Sequence, residues 1–184
     1  MSRVRGVFLL GGILVAVLVG FVAWTYSRQA ASGLPAEVDV IEVGPTGQHV
    51  GGNIGYDQNL GTPPAGGAHN PDWQNCGFYD EPVRAENAVH SLEHGAAWIT
   101  YQPDLPQDEI ERLSDLTQSN RYVLVSPYPD QKAPVVATAW GIQQRLGSAE
   151  DAELKRFIKI YGQNPRSAPP GEHSSCTGGI GQPQ

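Results

Sequence analysis

The sequence predicts an α+β domain, a mixed sheet with helices packed on it, carried behind a single apolar N-terminal span. Three observations lead there. Residues 7–24 form a run of 18 without charge. Beyond them, the segments follow the order strand, helix, strand, helix, strand, strand, helix. An apolar content of 40% can fill one core, while 22 glycines and 15 prolines assign much of the 184-residue chain to loops.

The run from Val7 to Trp24 reaches the lower limit for crossing a bilayer core of about 30 Å. Arg3 and Arg5 precede it, and Trp24 and Tyr26 close it with aromatics suited to a membrane interface. A cleavable signal peptide is the alternative, for which Arg28-Gln-Ala-Ala-Ser supplies small residues but no clear Ala-x-Ala site. The anchor reading makes residues 1–6 a cytoplasmic N-terminus, 7–26 a transmembrane anchor and 27–37 a tether. Residues 38–162 are then an extracytoplasmic domain, and 163–184 a Pro/Gly-rich tail. The expected location is the cell membrane, single-pass, with the lipid bilayer as a partner through the N-terminal helix. From residue 29 onward nine basic residues stand against nineteen acidic ones, a balance of −10. Such a surface argues against nucleic acid, whose phosphates want a positive face, and attracts cations.

Val38-Asp-Val-Ile-Glu-Val43 alternates and predicts the first strand. Residues 51–82 carry almost no regular pattern, yet Tyr56, Trp73, Phe78 and Tyr79 argue against disorder. This stretch is expected to wrap the domain and deliver His69 to a defined place. Residues 84–94 predict a short helix that stops at Gly95, and residues 96–102 a strand rich in β-branched and aromatic side chains. Residues 106–118 predict a helix, with Pro106 at its first position, acidic Asp108, Glu109 and Glu111 at its positive end, and Ile110, Leu113 and Leu116 on one stripe. Residues 121–126 are apolar enough for a central strand. After a turn at 127–132, residues 134–140 are expected to return as its hairpin partner. Ser148 is placed as the cap of a last helix over 149–161, whose Leu154, Phe157, Ile158 and Tyr161 fall at i, i+3, i+4, i+7. A strand–helix–strand unit wants a right-handed parallel crossover. The same order describes a thioredoxin-like α/β domain, which is the alternative, although the Cys-x-x-Cys dithiol is absent.

Two cysteines, Cys76 and Cys176, allow one internal pairing, and an oxidising exterior favours it as a disulfide. The alternative makes Cys76 a redox nucleophile or a soft metal ligand.

The chemistry centres on His90-Ser-Leu-Glu-His94. Histidines four apart stand one above the other on a helix. With His69 brought in from the loop, His69, His90 and His94 form a three-imidazole set, and Glu93 serves as ligand or neighbour. Such a set suits Cu or Zn. His-x-x-Glu-His also fits the inverzincin pattern, with Glu93 as general base of a metal-dependent hydrolase, but strand-like sequence begins two residues after His94 and the helix is short. A third reading keeps the histidines structural, in a non-enzymatic module with an envelope protein partner. His49 and His173 stand without any visible constellation. The leading expectation is a metal-binding domain outside the membrane, and more a binding protein than an enzyme.

Several segments resemble the DUF3105 family, bacterial proteins of unknown function among which small membrane-anchored chains are common. They are Thr62-Pro-Pro-Ala-Gly-Gly-Ala-His69, Cys76-Gly-Phe-Tyr-Asp-Glu-Pro82 and Val89-His-Ser-Leu-Glu-His-Gly95. Ile99-Thr-Tyr101, Val125-Ser-Pro-Tyr-Pro129 and Thr138-Ala-Trp-Gly141 extend the likeness, which covers roughly residues 52–164. The family pattern tends to carry Ser where Ala65 stands. The resemblance implies no assigned activity.

Overall fold

A computed structural model describes residues 38–57, 61–163 and 175–184. The expected transmembrane anchor and tether therefore lie outside the described residues. Among those that are described, no helix is long and apolar enough to cross a membrane.

Among the described residues, six strands and three helices form a mixed sheet with helices on both faces. The strands are β1 (Asp39–Val40), β2 (Gly77–Phe78), β3 (Ala97–Tyr101), β4 (Val123–Pro127), β5 (Val135–Ala139) and β6 (Ile142–Leu146). The helices are α1 (Ala85–Glu93), α2 (Gln107–Ser119) and α3 (Ala152–Tyr161). The order across the sheet is β1-β6-β5-β3-β4-β2. β3 and β4 run parallel, as the helix between them requires, and β2 joins β4 in parallel. β5 and β6 form an antiparallel hairpin, and β1 pairs antiparallel with β6.

The α+β architecture is the one expected, but its wiring differs at three points. β5 does not pair with β4. It lies antiparallel on the other side of β3, with Ile99 opposite Ala137. The short turn after β4 thus carries the chain across β3, which leaves β3 as the central strand with partners on both edges. Two strands lacked a sequence signal: β2 has two residues, and β6 reads Ile-Gln-Gln-Arg-Leu, polar at its centre. The last helix begins at Ala152 rather than 149, because Asp151 and not Ser148 is its cap, accepting the Glu153 N–H at 3.0 Å.

Alternation along β3 sorts the core into two layers. Ala97, Ile99 and Tyr101 face α2 and α3, packing with Leu113, Val123, Val125, Leu154 and Phe157. Trp98 points the other way, towards Leu124, Ala88, Leu92 and the Cys76–Cys176 pair. The long loop lies over this second face, tied to it by polar bonds. Gln143 Nε2 donates to the Pro63 carbonyl at 2.9 Å, and the Gly141 N–H to the Ala65 carbonyl at 2.8 Å. Buried Gln143 would be costly in an apolar layer; here it holds the loop.

Cys76 and Cys176 form the expected disulfide, with Cα atoms 5.4 Å apart and a sequence separation of 100. The bridge fastens the described end of the tail beside β2. There the Cys76 N–H also donates to the Cys176 carbonyl at 2.8 Å.

Candidate metal centre

The site is built where α1 ends beneath the long loop. Gly95 stops α1 with a φ of 92°, a left-handed turn that glycine adopts without strain. The Gly95 N–H donates to the Leu92 carbonyl and the Ala96 N–H to the Ser91 carbonyl, both at 2.9 Å, which closes a Schellman motif. This fixes the last helical turn, and with it His90 and Glu93. His94 is the C-cap residue.

His69 comes from the loop and is fully buried, as is Glu93, while His90 is 4% exposed. His69 Nδ1 donates to the Gly67 carbonyl at 2.8 Å, and His90 Nδ1 donates to the Asn70 carbonyl at 2.8 Å. A carbonyl oxygen can only accept, so each Nδ1 carries a proton, and the Nε2 of His69 is left to face Glu93. The loop conformation that allows this passes through Gly66, where a Cβ would come within 2.9 Å of the Val43 side chain.

Glu93 closes the group from below. Its Oε1 accepts the Gly47 N–H at 2.7 Å, and its Oε2 lies 3.0 Å from His69 Nε2 and 3.6 Å from His49 Nε2. One donor atom from each of His49, His69, His90 and Glu93 lies within 4.8 Å of the other three. Four donors at 2.0–2.1 Å from one ion stand about 3.3 Å apart at the edges of a tetrahedron. The two measured separations to Glu93 fall on either side of that value.

Both ring nitrogens of His69 face acceptors, and a neutral imidazole carries only one proton. The remaining contact, Nε2 against a carboxylate oxygen, is completed by a second proton or by a cation seated between them. Burial, helped by the nearby His94, His69 and His49 rings, pushes the His90 imidazole down to about 4 against the upward pull of the Asn70 carbonyl. His90 is therefore neutral and able to ligate across the physiological range.

The structure brings three of the four expected residues together, His69, His90 and Glu93. His94 falls outside the group, its ring centroid 4.5 Å from His90 and 4.9 Å from Trp73. The position expected of it is taken by His49, which the sequence left isolated. No spacing reveals it: His49 arrives by a parallel bridge to His69, with the Val50 N–H donating to the His69 carbonyl at 2.7 Å and the His69 N–H to the Gln48 carbonyl at 3.0 Å. His173 lies outside the described residues. Cys76 is committed to the disulfide and is no ligand.

A family model described as protein of unknown function, DUF3105, matches residues 49–178. The chain belongs to the DUF3105 family. The DUF3105 match begins at His49 and runs past Cys176, so it takes in all four cluster residues and both ends of the disulfide. It is wider at both ends than the segments in which the sequence shows the resemblance. No curated protein and no solved structure matches the chain.

Proposed function

We propose that this domain binds a single divalent transition-metal ion, Zn(II) or Cu(II), through His49, His69, His90 and Glu93. One observation carries the reading. Two buried imidazoles have Nδ1 fixed by backbone carbonyls, His69 turns its Nε2 onto a fully buried carboxylate that also meets His49, and His90 brings a donor atom within 4.8 Å of the same group. Orienting the far nitrogen of each ligand in this way is how metal-binding histidines are held. Three nitrogens and one oxygen are donors suited to zinc and copper, and poorly suited to calcium or magnesium, which prefer oxygen throughout.

A hydrolase with Glu93 as its base is less well supported. Its Oε1 accepts the Gly47 N–H and its Oε2 faces His69 and His49, so in the metal reading Glu93 serves as a ligand rather than as a free base for a water. We favour a binding role, carrying or sensing the ion. The N-terminal apolar run supports placing the domain outside a membrane to which it is anchored, and the disulfide agrees with an oxidising compartment. An envelope protein is the natural partner in that setting.

Equilibrium dialysis against Zn(II), and separately Cu(II), followed by elemental analysis, tests the metal reading. Wild type should retain one ion per chain, His69→Ala and His90→Ala none, and His94→Ala as much as wild type. Equal metal content in all four proteins would end the proposal.

A further inference from the structure

We propose that the metal centre is a transfer site gated by His49. Three ligands stay fixed in the core while the fourth moves with a hinged strap, and the ion enters and leaves through the position His49 vacates. The inference rests on the metal reading above and concerns how the same site exchanges its ion.

The argument is an asymmetry in how the four ligands are held. His69 and Glu93 are inaccessible and His90 nearly so; the two rings are clamped by the Gly67 and Asn70 carbonyls outside the strap, and Glu93 is held by its place in the last turn of α1. The His49 side chain is 43% exposed, and its ring lies over those of His69 and His90 at centroid distances of 4.9 and 4.7 Å. It covers the cluster from the solvent side.

His49 belongs to a strap, residues 47–50, whose backbone bonds land on the other ligands. Gly47 donates to Glu93 Oε1, Val50 donates to the His69 carbonyl, and Gln48 accepts from the His69 N–H. Gly47 and Gly52 bracket it with φ of 70° and 95°, and a Cβ at either would meet nothing within 4 Å. The strap ends are thus held by hydrogen bonds, Gly47 to Glu93 and the Gly52 carbonyl accepting from Arg84 at 3.2 Å, rather than by side-chain packing, and opening breaks those bonds without unpacking a core. Beyond it the loop is fixed again, by the Ile54 N–H donating to buried Glu86 at 3.1 Å. The hinged length is short and carries one ligand.

Closed, the strap completes four-coordination, as in a structural site. Open, it leaves three protein donors and a free position, the arrangement that admits an outside ligand. An imidazole or thiolate of an acceptor can bind there before the remaining bonds break, so the ion is passed on without being released into water and without a change of oxidation state. Because the strap is bonded to Glu93 and His69, loading the ion and closing the strap favour each other.

The test uses the full chain with Zn(II) as the probe. Release is followed in a stopped-flow instrument by a chromogenic chelator, and hydrogen exchange is measured on wild type with and without zinc. His49→Ala should still load zinc, with affinity about ten- to a hundredfold weaker, and should release it faster by a similar factor. His69→Ala and His90→Ala should not load. Amides of residues 47–50 should exchange more slowly in the loaded protein than in the metal-free one. Zinc release from His49→Ala at the wild-type rate, loss of loading as complete as in His69→Ala, or protection of residues 47–50 that zinc leaves unchanged would each overturn the gate. Failure of wild type itself to take up zinc would instead remove the metal reading beneath it.

Discussion

Replacing Glu93 by glutamine separates the fold from the metal. In the metal-free protein the amide oxygen can accept the Gly47 N–H, which now reaches Oε1 at 2.7 Å, and the amide nitrogen can donate to His69 Nε2, now 3.0 Å from Oε2. His69 keeps its proton on Nδ1 for the Gly67 carbonyl. Every polar atom stays paired and no cavity opens, so the metal-free stability should lie within about 1 kcal/mol of wild type. Glu93→Ala strips the partner from buried His69, leaves a cavity where the carboxylate stood and frees the Gly47 N–H to solvent, and should lose about 3 kcal/mol. For a domain of this size that is roughly 6–12 °C in Tm. Metal reverses the comparison. At a free-ion concentration of about 100 Kd, binding stabilises wild type by about 2.7 kcal/mol, or roughly 5–11 °C. If loss of the anionic ligand weakens binding about a hundredfold, the same concentration stabilises Glu93→Gln by only about 0.4 kcal/mol, near 1 °C. Differential scanning calorimetry of the three proteins, in chelator and in zinc, reads both effects. A full zinc-dependent rise in Glu93→Gln would refute Glu93 as a ligand. A metal-free Glu93→Gln as unstable as Glu93→Ala would refute the hydrogen-bond accounting.

Three further outcomes are expected. Cys176→Ser should lower stability by on the order of 4–5 kcal/mol, since the bridge closes a span of 100 residues, and calorimetry of wild type in reductant should match it. Metal-free wild type should lose stability as pH falls, because unfolded His90 takes up a proton near 6.5 while the folded residue resists it down to about 4. The contribution is complete above about 6.5, is lost between there and about 4, and amounts to at most about 3 kcal/mol. Denaturant titrations across that range should slope less steeply in His90→Asn, whose amide can still donate to the Asn70 carbonyl; parallel slopes would count against it. Gly66→Ala drives a methyl into Val43 at a φ of 152° and displaces the Gly67 carbonyl that orients His69, so both Tm and zinc affinity should fall. Unchanged zinc affinity in that variant would separate the loop from the site.

How much of this was legible in the sequence followed the range of the signals. α1 and its stop at Gly95, β3, and the stripe on α2 rest on residues within one or two turns of each other, and the chain takes the form they predict. The disulfide was legible because two cysteines allow a single internal pairing. What escaped depends on distant partners. β6 was hidden because Gln143 and Gln144 are buried at its centre, one of them holding Pro63 eighty residues earlier. β5 follows β4 after a short turn, which suggests a hairpin, yet the sheet places it against β3. At the site, His90 and Glu93 share one helical turn and His69 stands in a loop too ordered to be idle. His49 gave no local sign, because its place depends on two loop segments lying side by side. His94 had the right spacing but is the cap residue, and its ring sits towards Trp73.

The central claim is that three imidazoles and one carboxylate meet at a single ion, and X-ray absorption at the zinc edge of the loaded protein tests it most directly. A shell of four nitrogen and oxygen donors at about 2.0–2.1 Å, with outer-shell scattering from three imidazole rings, is the predicted spectrum. A six-oxygen shell without imidazole scattering, or an ion washed away before measurement, would contradict it.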